Sequence, residues 1–201
     1  MTCLSFAMVT KGLAMFSRLL TTALALLAPA PLCADQSDPR LEELFSRLKA
    51  ATNEVASTET AQEIWKIWFE YRDPDTARLL HEAVAARDAG DVDRALELVN
   101  DVLERAPDFA EAWNQRAVIY YNVGYYDASL ADVERTLRLE PRHFAALSGR
   151  GMCYLGLRDA EEALIAFEEA LDVAPWLPNA RHNAEILRER LEIRRRNGVD
   201  G

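Results

Sequence analysis

Residues Ala110–His143, AEAWNQRAVIYYNVGYYDASLADVERTLRLEPRH, decide the fold. Trp113, Ala117, Tyr120 and Val123 recur at three- and four-residue steps, which puts them on one face of a helix. Gly124 breaks the pattern and fits the position just past a helix end, where a backbone with φ > 0 is common. Tyr126, Leu130, Val133 and Leu137 rebuild an apolar stripe until Pro141 stops it. The small residues Ala117 and Ser129 fall where two helices of a hairpin cross closely. Neither helix can bury its stripe alone, so the pair requires neighbours.

Those neighbours lie one period of 34 residues away on each side, at Thr76–Phe109 and Phe144–Leu177. In this register Pro107, Pro141 and Pro175 coincide, as do Ala83, Ala117 and Gly151. Leu96, Leu130 and Leu164 coincide too, with Val99, Val133 and Phe167, and with Leu103, Leu137 and Leu171. A fixed period with helix-turn-helix content is the signature of an all-α solenoid in which each hairpin stacks on the next.

The pattern resembles the tetratricopeptide repeat (TPR). The middle copy carries Trp113, Ala117, Tyr120, Gly124, Tyr126, Ser129 and Pro141 at the motif positions, and the third carries Leu147, Gly151, Tyr154, Ala160, Ala163, Phe167, Ala170 and Pro175. The first is weaker: Leu79, Ala83, Gly90, Ala95, Val99 and Pro107 fit, but Ala86 stands where the motif has an aromatic. Glu82, Arg116 and Arg150 replace the motif leucine. The resemblance covers about half the chain and implies three TPR hairpins, at 76–109, 110–143 and 144–177.

Around this array the chain of 201 residues is 50% hydrophobic, enough for a domain with a real core. Its formal net charge is −10, and residues 35–201 carry 21 basic and 33 acidic side chains, a net of −12. Phosphate backbones repel such a chain, and no basic, aromatic-interleaved patch opposes that, so nucleic acid is not an expected partner. Met15–Ala34 reads as a signal peptide, with Arg18 as a basic start, Leu19–Leu27 as a short apolar run and Leu32-Cys33-Ala34 as a cleavage site before Asp35. Translation from Met15 rather than Met1 remains open. Cleavage is the leading reading; an uncleaved anchor and lipidation of Cys33 are the alternatives, and any membrane contact is expected only through an uncleaved leader. Cleavage leaves Cys153 without an internal disulfide partner, so the fold must hold by packing.

Segment 35–75 is expected to be a linker and a degenerate helix pair. One helix runs through Leu41, Leu44, Phe45 and Leu48; the other spans about Glu59–Tyr71, with Thr58 as its candidate cap. Ile64, Trp65, Ile67, Trp68, Phe69 and Tyr71 exceed one apolar stripe, so the second helix is expected to be buried on two sides. The pair is read as a cap on the first repeat; an exposed docking patch at Trp65 and Trp68 is the alternative. A terminal helix through Leu177–Arg196, in segment 178–201, presents Ala180, Ala184, Leu187 and Leu191 as its apolar face. Its arginine-rich end suits the helix dipole.

Catalytic chemistry has no sequence footing. His81, His143 and His182 fall in different registers, with no metal-ligand spacing, nucleophile elbow or phosphate-cradling loop. Cys153 reads as a small buried hydrophobe. No cofactor and no small-molecule substrate are expected, and a monomer is expected.

What the resemblance implies is a concave groove lined by the first helix of each repeat. Its fifth-position ladder is Leu80, Asn114, Ser148 and His182; its ninth is Val84, Val118, Met152 and Ile186; its twelfth is Arg87, Tyr121 and Leu155; and the thirteenth contributes Asn122. The family's carboxylate clamp would fall on Leu80, Val84, Gln115, Ala145 and Gly149, none of them cationic, so no clamp is expected. The apolar seam suits a protein or peptide segment; the competing reading is that the chain's own N-terminal or last helix fills it. The leading function is a non-catalytic scaffold or adaptor of the bacterial cell envelope, exported to the periplasm. The alternative is a holding chaperone for exported or membrane-bound clients.

Overall fold

The computed structural model describes residues 36–198, and the expected leader at 1–34 lies outside them. Among the described residues there are nine helices and no strand: α1 (Arg40–Ala50), α2 (Glu54–Phe69), α3 (Pro74–Asp88), α4 (Val92–Arg105), α5 (Ala110–Asn122), α6 (Tyr126–Leu139), α7 (Phe144–Gly156), α8 (Ala160–Val173) and α9 (Pro178–Arg196). None is long and apolar enough to cross a membrane.

Local chemistry sets the boundaries. Asn53, Asp73, Asp91 and Asp159 each accept a hydrogen bond from a backbone N–H in the first turn of α2, α3, α4 and α8, satisfying a donor that the helix leaves free. Pro74 and Pro178 open α3 and α9, where a missing N–H costs nothing. The turns inside the three hairpins repeat one left-handed residue per period: Gly90 (φ 80°), Gly124 (φ 81°) and, unexpectedly, Arg158 (φ 66°).

Hairpins α3/α4, α5/α6 and α7/α8 stack in order, and α9 closes the last one. Their interior is built from separate apolar clusters, with buried polar side chains such as Ser129, Asp132 and Thr136 in the middle repeat. Ala83, Leu98, Val99, Val102 and Phe109 pack in the first repeat; Leu147, Phe167 and Ala170 in the third, against Ala180, Ala184 and Leu187 of α9. Each Val, Leu or Phe among them stabilises the fold by about 1.5–3 kcal/mol when fully buried. Phe167 packs closely against Gly151, where an added Cβ would stand 2.8 Å from the ring.

Two of the three departures at the motif leucine, Arg116 and Arg150, acquire a reason. Arg116 lies over the Trp113 ring at 4.8 Å and forms a fork with Asp132 of α6 at 2.7 and 2.8 Å. The Asp132 hydrogen bonds raise the Arg116 pKa further. Arg150 reaches Glu134 of the preceding repeat and Glu169 of its own. These positions tie helices together by charge rather than by an apolar knob.

The N-terminal pair differs from expectation in extent and in place. α2 begins a turn and more before Glu59, because Asn53 rather than Thr58 accepts from Ala56 N–H. Nor is the hairpin only a cap on the first repeat. Phe69 stacks on His81 of α3 at 5.3 Å, but Trp68 stacks on His143 at 4.0 Å, and Trp65 meets Phe144 edge-on. Leu41, Leu44, Phe45 and Leu48 of α1 share one cluster with Ile64, Ile67, Trp68, Phe144 and Ala174. Trp176 Nε1 donates to Ala51 O at 2.8 Å. The two-sided apolar surface of α2 therefore spans from the first repeat to the α8–α9 loop. Trp68 is buried, which removes it from any exposed docking patch.

Candidate functional site

The first helices of the hairpins, α3, α5 and α7, carry the positions expected to face a groove. At their N-terminal ends the chain covers that surface with its own α2. Beneath it runs a polar chain: Arg87 donates to Gln115 Oε1, Gln115 donates to Glu111 Oε1, and His143 Nε2 lies 2.9 Å from Glu111 Oε2. Because His143 Nδ1 accepts the Ala146 N–H at 3.2 Å, Nε2 is the nitrogen left to donate to the carboxylate. Glu111 and His143 side chains have no exposed surface, and the stacked Trp68 ring closes over the imidazole. Removing either partner of this buried hydrogen-bonded pair leaves the other unsatisfied, at about 1–3 kcal/mol, so this network fixes the hairpin rather than waiting for a ligand.

Farther along the same face the groove is open. A cavity of about 270 Å³ lies between α5, α6 and α7, bounded on one side by the start of α9. Of the expected groove residues, Asn114, Val118, Tyr121, Ser148 and Met152 line it together. Ala117, Ser129 and Val133 also line it, while Ala145 and Gly149 leave room on the α7 side and Leu177 and Asn179 complete the wall. None of the lining side chains is charged.

The remaining expected residues lie elsewhere. Leu80 has no exposed surface and belongs to the first-repeat core, so its assignment as a ligand contact is corrected: it packs with Val99, Val102 and Ile119. Arg87 is committed to Gln115 and Asp88. Val84 is half-buried and Asn122 is exposed, but neither reaches the cavity; Leu155 packs against the α7–α9 core. In the extrapolated ladders, Ile186 is half-buried and His182 exposed, also outside the cavity. The Asn183 amide approaches Met152 Sδ at 3.9 Å and helps hold it at the rim.

Two ionisable groups near the cavity are quiet. Burial pushes the Tyr121 phenol up, reinforced by Tyr126, and burial pushes the Cys153 thiol up against the lowering effect of its bond to Ser129 Oγ at 3.1 Å. Both stay protonated near neutrality, so Cys153 offers no thiolate. Among the described residues no three His, Cys, Asp or Glu side chains are placed to hold a metal ion.

Stacked helix hairpins with a partly covered concave face define a helical-repeat scaffold. A sequence model of the tetratricopeptide repeat matches residues 80–124 and 119–176. A TPR repeat-containing protein of Rhizobium etli is 32% identical over 152 residues, covering 76% of this chain and 74% of that protein. The chain belongs to the tetratricopeptide repeat family. A stretch of 91 residues is 32% identical to the wheat Hsp70-Hsp90 organizing protein, covering 45% of this chain and 16% of that one. Among solved structures, the Sgt2 TPR domain of Aspergillus fumigatus superposes with a TM-score of 0.59 at 21% identity, over 64% of this chain and 86% of that domain. The first TPR domain of Spaghetti, solved bound to an HSP90 peptide, gives 0.56 at 20% identity, over 58% and 93%. These two likenesses speak to the fold.

Proposed function

We propose that this chain is a non-catalytic interaction module that docks a protein segment in the open part of its concave groove. The observation that carries this reading is the uncharged cavity of about 270 Å³ on which five side chains converge from two successive repeats. A volume that small suits one or two side chains of a polypeptide better than a drug-sized ligand, whose sites run from about 300 Å³ upward. The peptide-bound TPR neighbour supports the same use of the fold by analogy. The leader-like Met15–Ala34 supports an exported, cell-envelope setting with Asp35 as the first mature residue, which mass spectrometry of native protein checks. A walled cavity favours a scaffold or adaptor with a dominant partner over a holding chaperone.

The test is affinity capture from the native envelope fraction with the unaltered chain and with Val118→Glu. Val118 is half-buried at the cavity wall, so the variant should keep its stability within about 1 kcal/mol. It should lose the partner, because a carboxylate must be desolvated beside an apolar ligand. Retained capture contradicts the reading; many partners in place of one supports the chaperone.

A further inference from the structure

The cavity carries a finer reading, which rests on the proposal that the groove binds a protein segment. Gly149 lies within α7, where alanine would favour the helix by about 1 kcal/mol. A Cβ built on it meets only Val133 Cγ2, at 4.0 Å, an ordinary contact. Nothing in the packing therefore requires glycine here, unlike Gly151 and Gly156, whose added Cβ atoms would strike Phe167 and Tyr126 at 2.8 and 2.5 Å. Both Gly149 and Val133 line the cavity, so any side chain longer than alanine at 149 grows into it.

The polar groups at the cavity complete the picture. Asn114 is 3% exposed, and its Nδ2 is held by the Glu111 carboxylate at 3.2 and 3.4 Å. Asn114 and Ser148 both line the cavity, from α5 and α7. No cation is present to receive a terminal carboxylate or an acidic side chain, and no anion to receive a basic one.

We infer that the cavity is an anchor pocket for a single large uncharged apolar side chain, presented by an internal stretch of polypeptide, with Gly149 setting the pocket's depth. A C-terminal tail that binds through its free carboxylate is the ligand this chemistry excludes. The pocket's roominess is concentrated at one residue, which makes the inference testable without emptying the core.

The probe is an array of immobilised random peptides, printed once tethered through the C-terminus and once with that carboxylate free. The unaltered chain should select peptides with one Phe, Trp, Leu or Met among uncharged residues, equally well in both formats. Gly149→Leu should weaken these by about tenfold or more while its thermal midpoint does not fall; Gly149→Ala should bind with intermediate strength. Independently, titration of the unaltered chain with N-acetyl-phenylalanine amide should shift the amide resonances of Gly149, Ser148 and Asn114, and N-acetyl-phenylalanine with its free carboxylate should bind more weakly. Selection of acidic C-terminal sequences overturns the anchor pocket. So does selection of apolar peptides that Val118→Glu loses and Gly149→Leu keeps, an outcome that leaves the groove reading intact. Peptides indifferent to both variants overturn the groove reading as well.

Discussion

Replacing Trp68 by alanine removes the contact that seats the N-terminal hairpin on the repeats. The ring is 1% exposed, stacks on His143 at 4.0 Å with planes 8° apart, and touches Phe45, Trp65 and Phe144. Truncating a buried tryptophan costs about 3–5 kcal/mol through lost transfer and the cavity left behind. Its Nε1 is buried without a hydrogen-bond partner. Removing that orphan donor returns about 1–3 kcal/mol. The net loss is therefore centred on about 2 kcal/mol, or roughly 4–8 °C in thermal midpoint for a domain of this size. Denaturant unfolding followed by circular dichroism measures the free energy, and hydrogen exchange shows where the loss falls. Protection in α1 and α2 should drop first, because both lean on the same cluster. Unchanged protection in α1 would refute the placement of the hairpin across the first helices of the repeats.

Other consequences follow from single residues. Arg158 holds φ 66° where the two earlier turns have glycine; a left-handed backbone costs a residue with a Cβ about 1–2 kcal/mol. Arg158→Gly should thus raise the unfolding free energy by a net of about 0.5–1 kcal/mol after the glycine's own entropy, read as a higher denaturant midpoint, and a lower midpoint would contradict the turn. The Asp38 carboxyl is held below its usual pKa by hydrogen bonds from Arg40. At Asp108 burial pushes the other way, but bonds from Arg72 and Tyr71 win and the pKa is lowered as well. Groups depressed in the folded state add stability above their unfolded value of about 3.9. That stability disappears as pH falls through the lower folded values. Thermal midpoints should therefore hold from neutrality to about pH 4 and drop below it, and Asp38→Asn should flatten part of that drop. In the third repeat, Gly151→Ala forces a methyl against the buried Phe167 ring and should cost about 1–3 kcal/mol.

The repeat array was legible because its signal is redundant. Stacked hairpins impose the same steric demand at each period, so Ala83, Ala117 and Gly151, or Val99, Val133 and Phe167, announce themselves together. The hairpin α1/α2 has no such copies. Its two-sided apolarity was readable from Ile64 through Tyr71, but the partner of each face depends on the long-range pairing of Trp68 with His143 and of Trp176 with Ala51. Nothing local in the sequence encodes those pairs. The site was legible by phase and not by depth. Val118, Tyr121 and Met152 emerged from the period, whereas Leu80, on an equivalent rung, is swallowed by the first-repeat core. Ala145 and Gly149 were read only as missing charges; what they contribute is space, a property of the surrounding helices as much as of the residues.

The central claim is that a partner segment occupies the cavity among α5, α6 and α7. The most direct measurement places a photo-crosslinking amino acid at Val118 and, separately, at the exposed apolar residues Tyr125 and Ile165, which are 65% and 48% accessible and lie outside the cavity. Illumination in the native envelope fraction should join the partner from position 118 and from neither control. A partner joined from Tyr125 or Ile165, with position 118 silent, would contradict the account.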